Sequence, residues 1–262
     1  MHRPFEIYSA YFRRCIMAFL QLRADALISV FSILASQFAA FVAVWAITQA
    51  IGDIGGWNFH DLMLIFGIFI IISAINQMFL DGIWNIGNVY VRRGNLDHLL
   101  TRPLPVFIQV ICQRMEIGAF FLALAGVLLV GYSLSMLGVA ISFSAVMMII
   151  FFVICGVAIS SSLYLIANST NFWLVQGNEI ADLVQLFQEF SRYPMGVFPT
   201  GIRLIFTLIM PFAFATYYPA SILTGRMPIQ AMLFVALVAV ACITVAAIVW
   251  RKGVRSYNGT GS

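Results

Sequence analysis

Six apolar stretches, at residues 26–51, 62–80, 117–137, 143–167, 202–222 and 229–250, each approach or exceed the ~20 residues a helix needs to cross ~30 Å of hydrocarbon. None shows strand-like alternation, and over such lengths a single segment satisfies its own backbone in lipid only as a helix. Composition agrees: the chain is 62% hydrophobic and 9% charged, against about 25% charged in soluble domains. A soluble globule cannot hide that much apolar surface. The predicted fold class is therefore an all-α membrane protein with six transmembrane helices. The 202–222 run is the weakest of the six. Pro211 and Pro219 interrupt its hydrogen-bond ladder, so it is expected to break or re-enter near its outer end.

Charge placement predicts the orientation. With both termini inside, the basic residues of the inner segments are Arg3, Arg13, Arg14 and Arg23, then Arg92, Arg93, Arg102 and Arg114, then Arg192 and Arg203, then Arg251, Lys252 and Arg255. Only Arg226 falls outside, a strong asymmetry under the positive-inside rule. The outer loops, at residues 52–61, around Gly138 and at 224–228, are too short for an external domain. No basic stripe interleaves with aromatics, which excludes a nucleic-acid surface. The N-terminus lacks a signal-peptide h-region and cleavage site, so the first span is expected to be retained.

Two segments outside the six runs have helical periodicity. Between Pro4 and Arg23, Phe5, Tyr8, Phe12, Ile16, Phe19 and Leu20 recur at three- and four-residue spacing and are interrupted by arginines. This predicts an N-terminal amphipathic helix in the inner interface, the other reading being the first turns of span one. Within 171–193, Ile180, Leu183, Val184, Leu186, Phe187 and Phe190 share one side, with Glu179, Asp182, Gln185, Gln188 and Glu189 on the others. The expectation is an amphipathic cytoplasmic helix, the other reading being a continuation of span four.

Catalytic and metal chemistry find no support in these residues. A P-loop needs GxxxxGK[ST], and the single lysine, Lys252, follows Arg251. Any ATP that drives this protein, and its Mg ion, is expected to bind another chain. His2, His60 and His98 are scattered, and Cys15, Cys112, Cys155 and Cys242 form no CxxC pair, so no metal site or disulfide framework is predicted. Ser160-Ser161-Ser162 reads as helix packing rather than a nucleophile. The tripeptides 168–170 and 258–260 match a glycosylation pattern on the predicted inner side and are treated as chance. The middles of the six runs carry no charge, which argues against a proton-coupled carrier. Asn76 and Gln77 near the inner end of span two, and Thr207, Thr216, Tyr217 and Tyr218 in span five, remain as polar groups to line a path or to bond between helices. A pathway poor in charge points to an amphipathic or lipid-like cargo.

The densest polar insert is residues 87–114. It holds Arg92, Arg93, Arg102, Arg114, the Gly94-Asn95 turn and the stiff Pro103-Leu104-Pro105. Residues 94–105, GNLDHLLTRPLP, with Gln109 following, resemble the G-x-L-D-x-L-L-x-R-P-L loop of bacterial type 2 ABC transporter permeases. Tyr193-Pro194, Phe198-Pro199, Pro211 and Tyr218-Pro219 resemble the second half of the branch often found as paired permeases.

The resemblance implies a non-catalytic membrane subunit of an exporter in a bacterial inner membrane. It implies an interface helix at 4–20, a coupling helix within 90–100 seated in a separate ABC ATPase, and outer re-entrant helices between spans five and six. Arg92, Arg93, Asn95, Asp97, His98, Arg102, Pro103 and Pro105 are the expected coupling residues. For Arg92 and Arg93, pairing with the ATPase and with anionic lipid remain equal alternatives. A second permease, identical or paralogous, is expected to complete the pathway. The competing readings are a stand-alone secondary transporter or channel, and an intramembrane enzyme, for which no convergent catalytic set is found.

Overall fold

The computed structural model describes residues 4–21, 23–53, 55–174 and 177–257. Arg3 and the 258–260 tripeptide lie outside the described residues. The chain forms α1 (Pro4–Gln21), α2 (Arg23–Ile51), α3 (Phe59–Leu80), α4 (Leu96–Leu100), α5 (Val106–Cys112), α6 (Ala119–Met136), α7 (Phe143–Ser169), α8 (Gly177–Phe190), α9 (Thr200–Leu204), α10 (Tyr217–Leu223) and α11 (Ala231–Ser256). Among the described residues there is no strand. Among the described residues, five helical segments are each long and apolar enough to cross a membrane: Ala26–Ala50, Phe59–Val91, Ala119–Met136, Phe143–Phe172 and Ala231–Ser256.

The central element is α3, and its start is well specified. Asn58 accepts from the Asp61 amide at 2.9 Å, and Asp61 accepts from the Asn58 amide at 3.0 Å, a reciprocal capping box. Residues from Leu62 to Ile72 are buried throughout, because α6, α7 and α10 surround them. Small residues set the closest approach. A Cβ on Gly67 would sit 2.8 Å from Val130 Cγ2, and one on Gly126 would sit 2.8 Å from Ile71 Cγ1. These contacts run α3 and α6 antiparallel and let their backbones approach as lipid-embedded helices do. Ile72 meets Gly156, and Asn76 meets Ser160, so α7 runs parallel to α3.

The 171–193 region departs from expectation. It is not a helix on the inner surface. Gly177 packs on Asn171, Gln188 bonds Ser73 at 3.4 Å, Arg192 lies over Phe66 and Phe69, and Gly196 reaches Gly55 in the α2–α3 loop, 3.8 Å from where a Cβ there would sit. Residues 177–196 therefore run the whole length of α3, antiparallel to it. The physical reason is the distribution of α8 side chains. Ala181 and Val184 are buried, Gln188 is buried with them, and Leu183 and Leu186 point outward, an outward apolar face suited to lipid or another apolar helix.

The predicted fifth span, 202–222, is correspondingly not a crossing. Its halves, Thr200–Ile209 and Phe212–Leu223, bend by 77°. Gly196, before it, lies at Gly55. Arg226, after it, bonds Asp61 Oδ2 at 2.5 Å and the Gly56 carbonyl at 2.7 Å. Both ends of this hairpin thus lie at the Asp61 end of the bundle, while its tip reaches inward: Phe206 packs on Phe187, and the Ala215 carbonyl faces Gly156. Met210 leaves helical geometry just before Pro211, which cannot donate into the ladder. Among the described residues, α8 with residues 191–196 runs the length of the bundle beside the five long apolar segments.

The charge reading changes with it. Arg192 and Arg203 do not belong to an inner loop. Arg192 is buried mid-bundle, and Arg203 is one turn into the hairpin. The middles of the six apolar runs carry no charge, but Arg192, which the expected surface helix had placed outside the bundle, is buried within it.

Candidate functional site

Helices α2, α3, α7 and α8 border a half-open polar cavity of about 450 Å³ toward the end that carries residues 81–114. Ser29, Ser32 and Gln37 reach it from α2, Ser73, Asn76 and Gln77 from α3, and Gln185, Gln188 and Glu189 from α8. Tyr164 and Trp84 form one wall, their rings tilted with centroids 4.5 Å apart. The polar groups are interlinked. Asn76 Nδ2 donates to Ser160 Oγ at 2.8 Å and to the Ile72 carbonyl at 3.0 Å. Tyr164 Oη donates to Gln188 Oε1, whose amide nitrogen donates to Ser73 Oγ. Ser29 Oγ donates to Glu116 Oε1 at 2.8 Å.

The charges are largely compensated within the chain. Arg114 Nε lies 2.5 Å from Asp81 Oδ2 at the cavity mouth. Arg192 pairs with Glu189 one turn earlier on α8, and its Nε also donates to the Glu189 carbonyl at 2.8 Å. The flat guanidinium is accommodated among apolar groups by the Phe69 face, 4.8 Å away. Among the cavity-lining groups, Asn76 Oδ1 and Gln37 Oε1 are acceptors without a partner, and Asp81 Oδ2 is met by the Arg114 ion pair alone.

The second feature is the 87–114 segment. Gly94 adopts φ +69° and turns the chain into α4. Leu96 and Leu99 are buried, while His98, Leu100, Arg102, Pro103 and Pro105 are exposed and Asp97 and Asn95 half-buried. Gln109 on α5 ties this tip together by donating from Nε2 to the Leu99 carbonyl at 3.0 Å and the Leu104 carbonyl at 2.9 Å. The base is closely packed. A Cβ on Gly82 would sit 2.1 Å from the Val110 carbonyl oxygen, and one on Gly87 2.1 Å from Asn178 Oδ1. Asn178 at the start of α8 also bonds Asn88. Across the same end lies α1, with Phe12 stacked on Phe79 at 5.8 Å and Tyr8 Oη directed to the Phe79 carbonyl at 3.5 Å.

Of the residues singled out as path-lining, only Asn76 and Gln77 line the cavity. Thr207 is half-buried on the hairpin and bonds the Arg203 carbonyl at 2.8 Å. Thr216 is buried and ties the hairpin to α8 through the Ser191 carbonyl at 2.6 Å. Tyr217 stands against Trp57 and Tyr218 against Phe214. The expected coupling residues, Arg92 and Arg93 included, lie together on the 91–105 tip, with Arg92 and Arg93 exposed. The α2 and α8 contributions went unread, although Ser29, Ser32 and Ser36 with Gln37 form a polar stripe at helical spacing on an otherwise apolar run.

The model of the family described as ABC-2 family transporter protein matches residues 34–261. No curated protein and no solved structure matches the chain.

Proposed function

The chain belongs to the ABC-2 family of transporter proteins, and on that premise we propose that it is the permease subunit of an ATP-driven exporter. Membership makes it a component of a multi-pass membrane transporter whose partners are ABC ATPases. The proposal adds the finer steps. The 87–114 segment faces the cytosol of a bacterial cell and seats α4 in the ATPase, which holds ATP and Mg. Both termini lie on that side, with α1 along the interface, and a second permease, identical or paralogous, completes the pathway.

One observation carries this reading. The base of the 87–114 segment is clamped to the same helices that line the polar cavity, through Gly82 on Val110, Gly87 on Asn171 and Asn178, and Asn88 on Asn178. A displacement of the α4 tip is therefore passed to the end of α3 and the start of α8 without slack. Both helices contribute cavity walls. Nucleotide-driven closure of the ATPase has a mechanical route to the site.

The second reading, a stand-alone carrier, draws on the Arg192–Glu189 pair within the bundle, since intramembrane charge commonly marks coupled pathways. The two separate in one experiment. The full chain is purified in mild detergent from the cells that encode it, and bound protein is quantified. A stoichiometric ATPase subunit that depends on intact residues 94–105 supports the permease. Substrate-driven transport by the chain alone in proteoliposomes, with no associated ATPase, overturns it.

A further inference from the structure

Beside the polar cavity lies a second, apolar cleft of about 600 Å³ between α2, α3 and α6. Phe31, Leu34 and Phe38 line it from α2, Phe66 and Ile70 from α3, and Leu122 from α6. The two spaces meet at one side chain: Gln37 borders both. Its Oε1 is buried and has no hydrogen-bond partner. Asn76, 7% exposed, presents a second unpartnered acceptor, Oδ1, among the cavity-lining groups.

We propose that this pair of spaces is one binding site for an amphiphile, with an uncharged polyhydroxylated head in the polar cavity and an alkyl tail in the apolar cleft. The inference rests on the permease reading and adds the class of cargo.

The head chemistry follows from what the cavity offers. Its walls are amides, hydroxyls and carboxylates, with a tilted aromatic pair on one side. Asn76 Oδ1 and Gln37 Oε1 need donors, and a buried acceptor left unmet is costly. Serine hydroxyls and glutamine amides both give and accept, which matches hydroxyls that do the same. The charges are already paired within the chain, Asp81 with Arg114 and Glu189 with Arg192, so no surplus cation is available for a phosphate or carboxylate head. Glu116 accepts from Ser29 but keeps its charge, so the dodecylamine arm of the test measures what that charge is worth to an ammonium head. The tail chemistry is simpler. From Phe31 to Phe41 the cleft follows ten residues of α2, about 15 Å at 1.5 Å per residue. Lipid is as apolar as the cleft, so the tail positions the molecule and the head selects it.

The test uses the full chain in phosphatidylcholine nanodiscs and radiolabelled dodecyl β-glucoside, with glucose, dodecanol, dodecylamine and dodecyl phosphate as competitors. Saturable glucoside binding is expected, with each competitor at least about tenfold weaker, the worth of one well-made hydrogen bond. Gln37→Met, at the half-buried junction, and Asn76→Leu are each expected to weaken binding by about tenfold. Leu34→Trp, which fills the cleft, is expected to abolish it. Dodecanol competing as well as the glucoside, or an amine or phosphate head binding equally tightly, overturns the proposal. So does unchanged affinity in the Gln37→Met protein, which keeps the side-chain volume and needs no repacking. The ATPase pull-down is scored separately. An associated ATPase with no glucoside binding removes this inference alone, and glucoside binding with no ATPase removes the permease reading alone.

Discussion

The guanidinium carbon of Arg192 lies 4.8 Å from the ring centroid of Phe69, halfway along the central helix. Few places in a lipid-embedded bundle tolerate a cation, and this one is made tolerable by the aromatic face, the Glu189 carboxylate and the Glu189 carbonyl acting together. Arg192→Met removes the cation and leaves Glu189 with one partner fewer, although that carboxylate is partly open to solvent. The expected loss is about 2 kcal/mol, mostly from the aromatic contact. It is read as a lower unfolding midpoint in detergent. Arg192→Lys, which cannot lie flat on the ring, is expected to fall between the two.

The crossing made by residues 177–196 has a direct readout. In a background with Cys15, Cys112, Cys155 and Cys242 replaced, Val197→Cys and Asp182→Cys are compared with a membrane-impermeant maleimide on intact cells. Val197 is 47% exposed and stands beside Gly196 at the Asp61 end. Labelling of Val197→Cys from outside and not of Asp182→Cys is the expected pattern. If the 171–193 region is a cytoplasmic surface helix, neither position labels until the cells are opened.

That contrast also locates what the sequence could reveal. Five spans were legible because twenty consecutive apolar residues have one stable arrangement in lipid, and the breaking of 202–222 was legible because Pro211 and Pro219 interrupt the ladder. The role of α8 was not. Ile180, Val184 and Phe187 recur at helical spacing whether the polar side meets water or a polar cavity, and the pattern is identical in the two cases. The contacts of Gln188 with Ser73 and Tyr164, and of Arg192 with Phe66 and Phe69, distinguish them, and these join residues far apart in the chain. The 94–105 tip was legible as a local motif. Its clamp on Asn178 was not, since nothing near Gly87 in sequence indicates a neighbour ninety residues on.

The packing of α1 against α5 has a pH signature. Burial pushes the Cys15 and Cys112 thiols above their ordinary range, only partly opposed at Cys15 by Arg14. Because the thiolate is the reacting form, both are expected to react with maleimide more slowly than a free thiol at pH 7, and the deficit of the half-buried Cys15 should narrow as pH rises past the ordinary value of about 8.5. Tyr8→Ala, which removes the side chain that reaches the Phe79 carbonyl, should speed labelling of Cys15 at neutral pH. A rate independent of that substitution would mean that α1 does not pack as described.

Asp97 and Arg102 sit on opposite ends of the exposed α4 tip. Asp97→Ala with Arg102→Ala touches no buried contact of the tip, so the permease should still insert and keep its unfolding midpoint within about 0.5 kcal/mol of equivalent stability. Export and ATPase co-purification should both drop. Normal export by the double variant would detach this tip from coupling.

Gln109 offers a sharper probe, because it acts on the stiffness of the tip without touching any partner. Its amide nitrogen closes a clamp between the end of α4 and the proline turn, at Leu99 and Leu104. Gln109→Leu fills much the same space but leaves both carbonyls without that donor, a cost of about 1–3 kcal/mol. The exposed docking residues are unchanged, so the ATPase is expected to remain bound. A lever that flexes under load transmits less of each stroke, and hydrolysis should therefore continue while transport per ATP falls. Gln109→Glu gives the control. Ionised, its carboxylate cannot donate and faces two carbonyl oxygens, and burial raises the pH at which it ionises above the ordinary value of about 4.3, so the tip should loosen as pH climbs through that raised value and tighten below it, where the protonated acid donates again. Transport per ATP equal to wild type in both variants would show that the clamp carries no force.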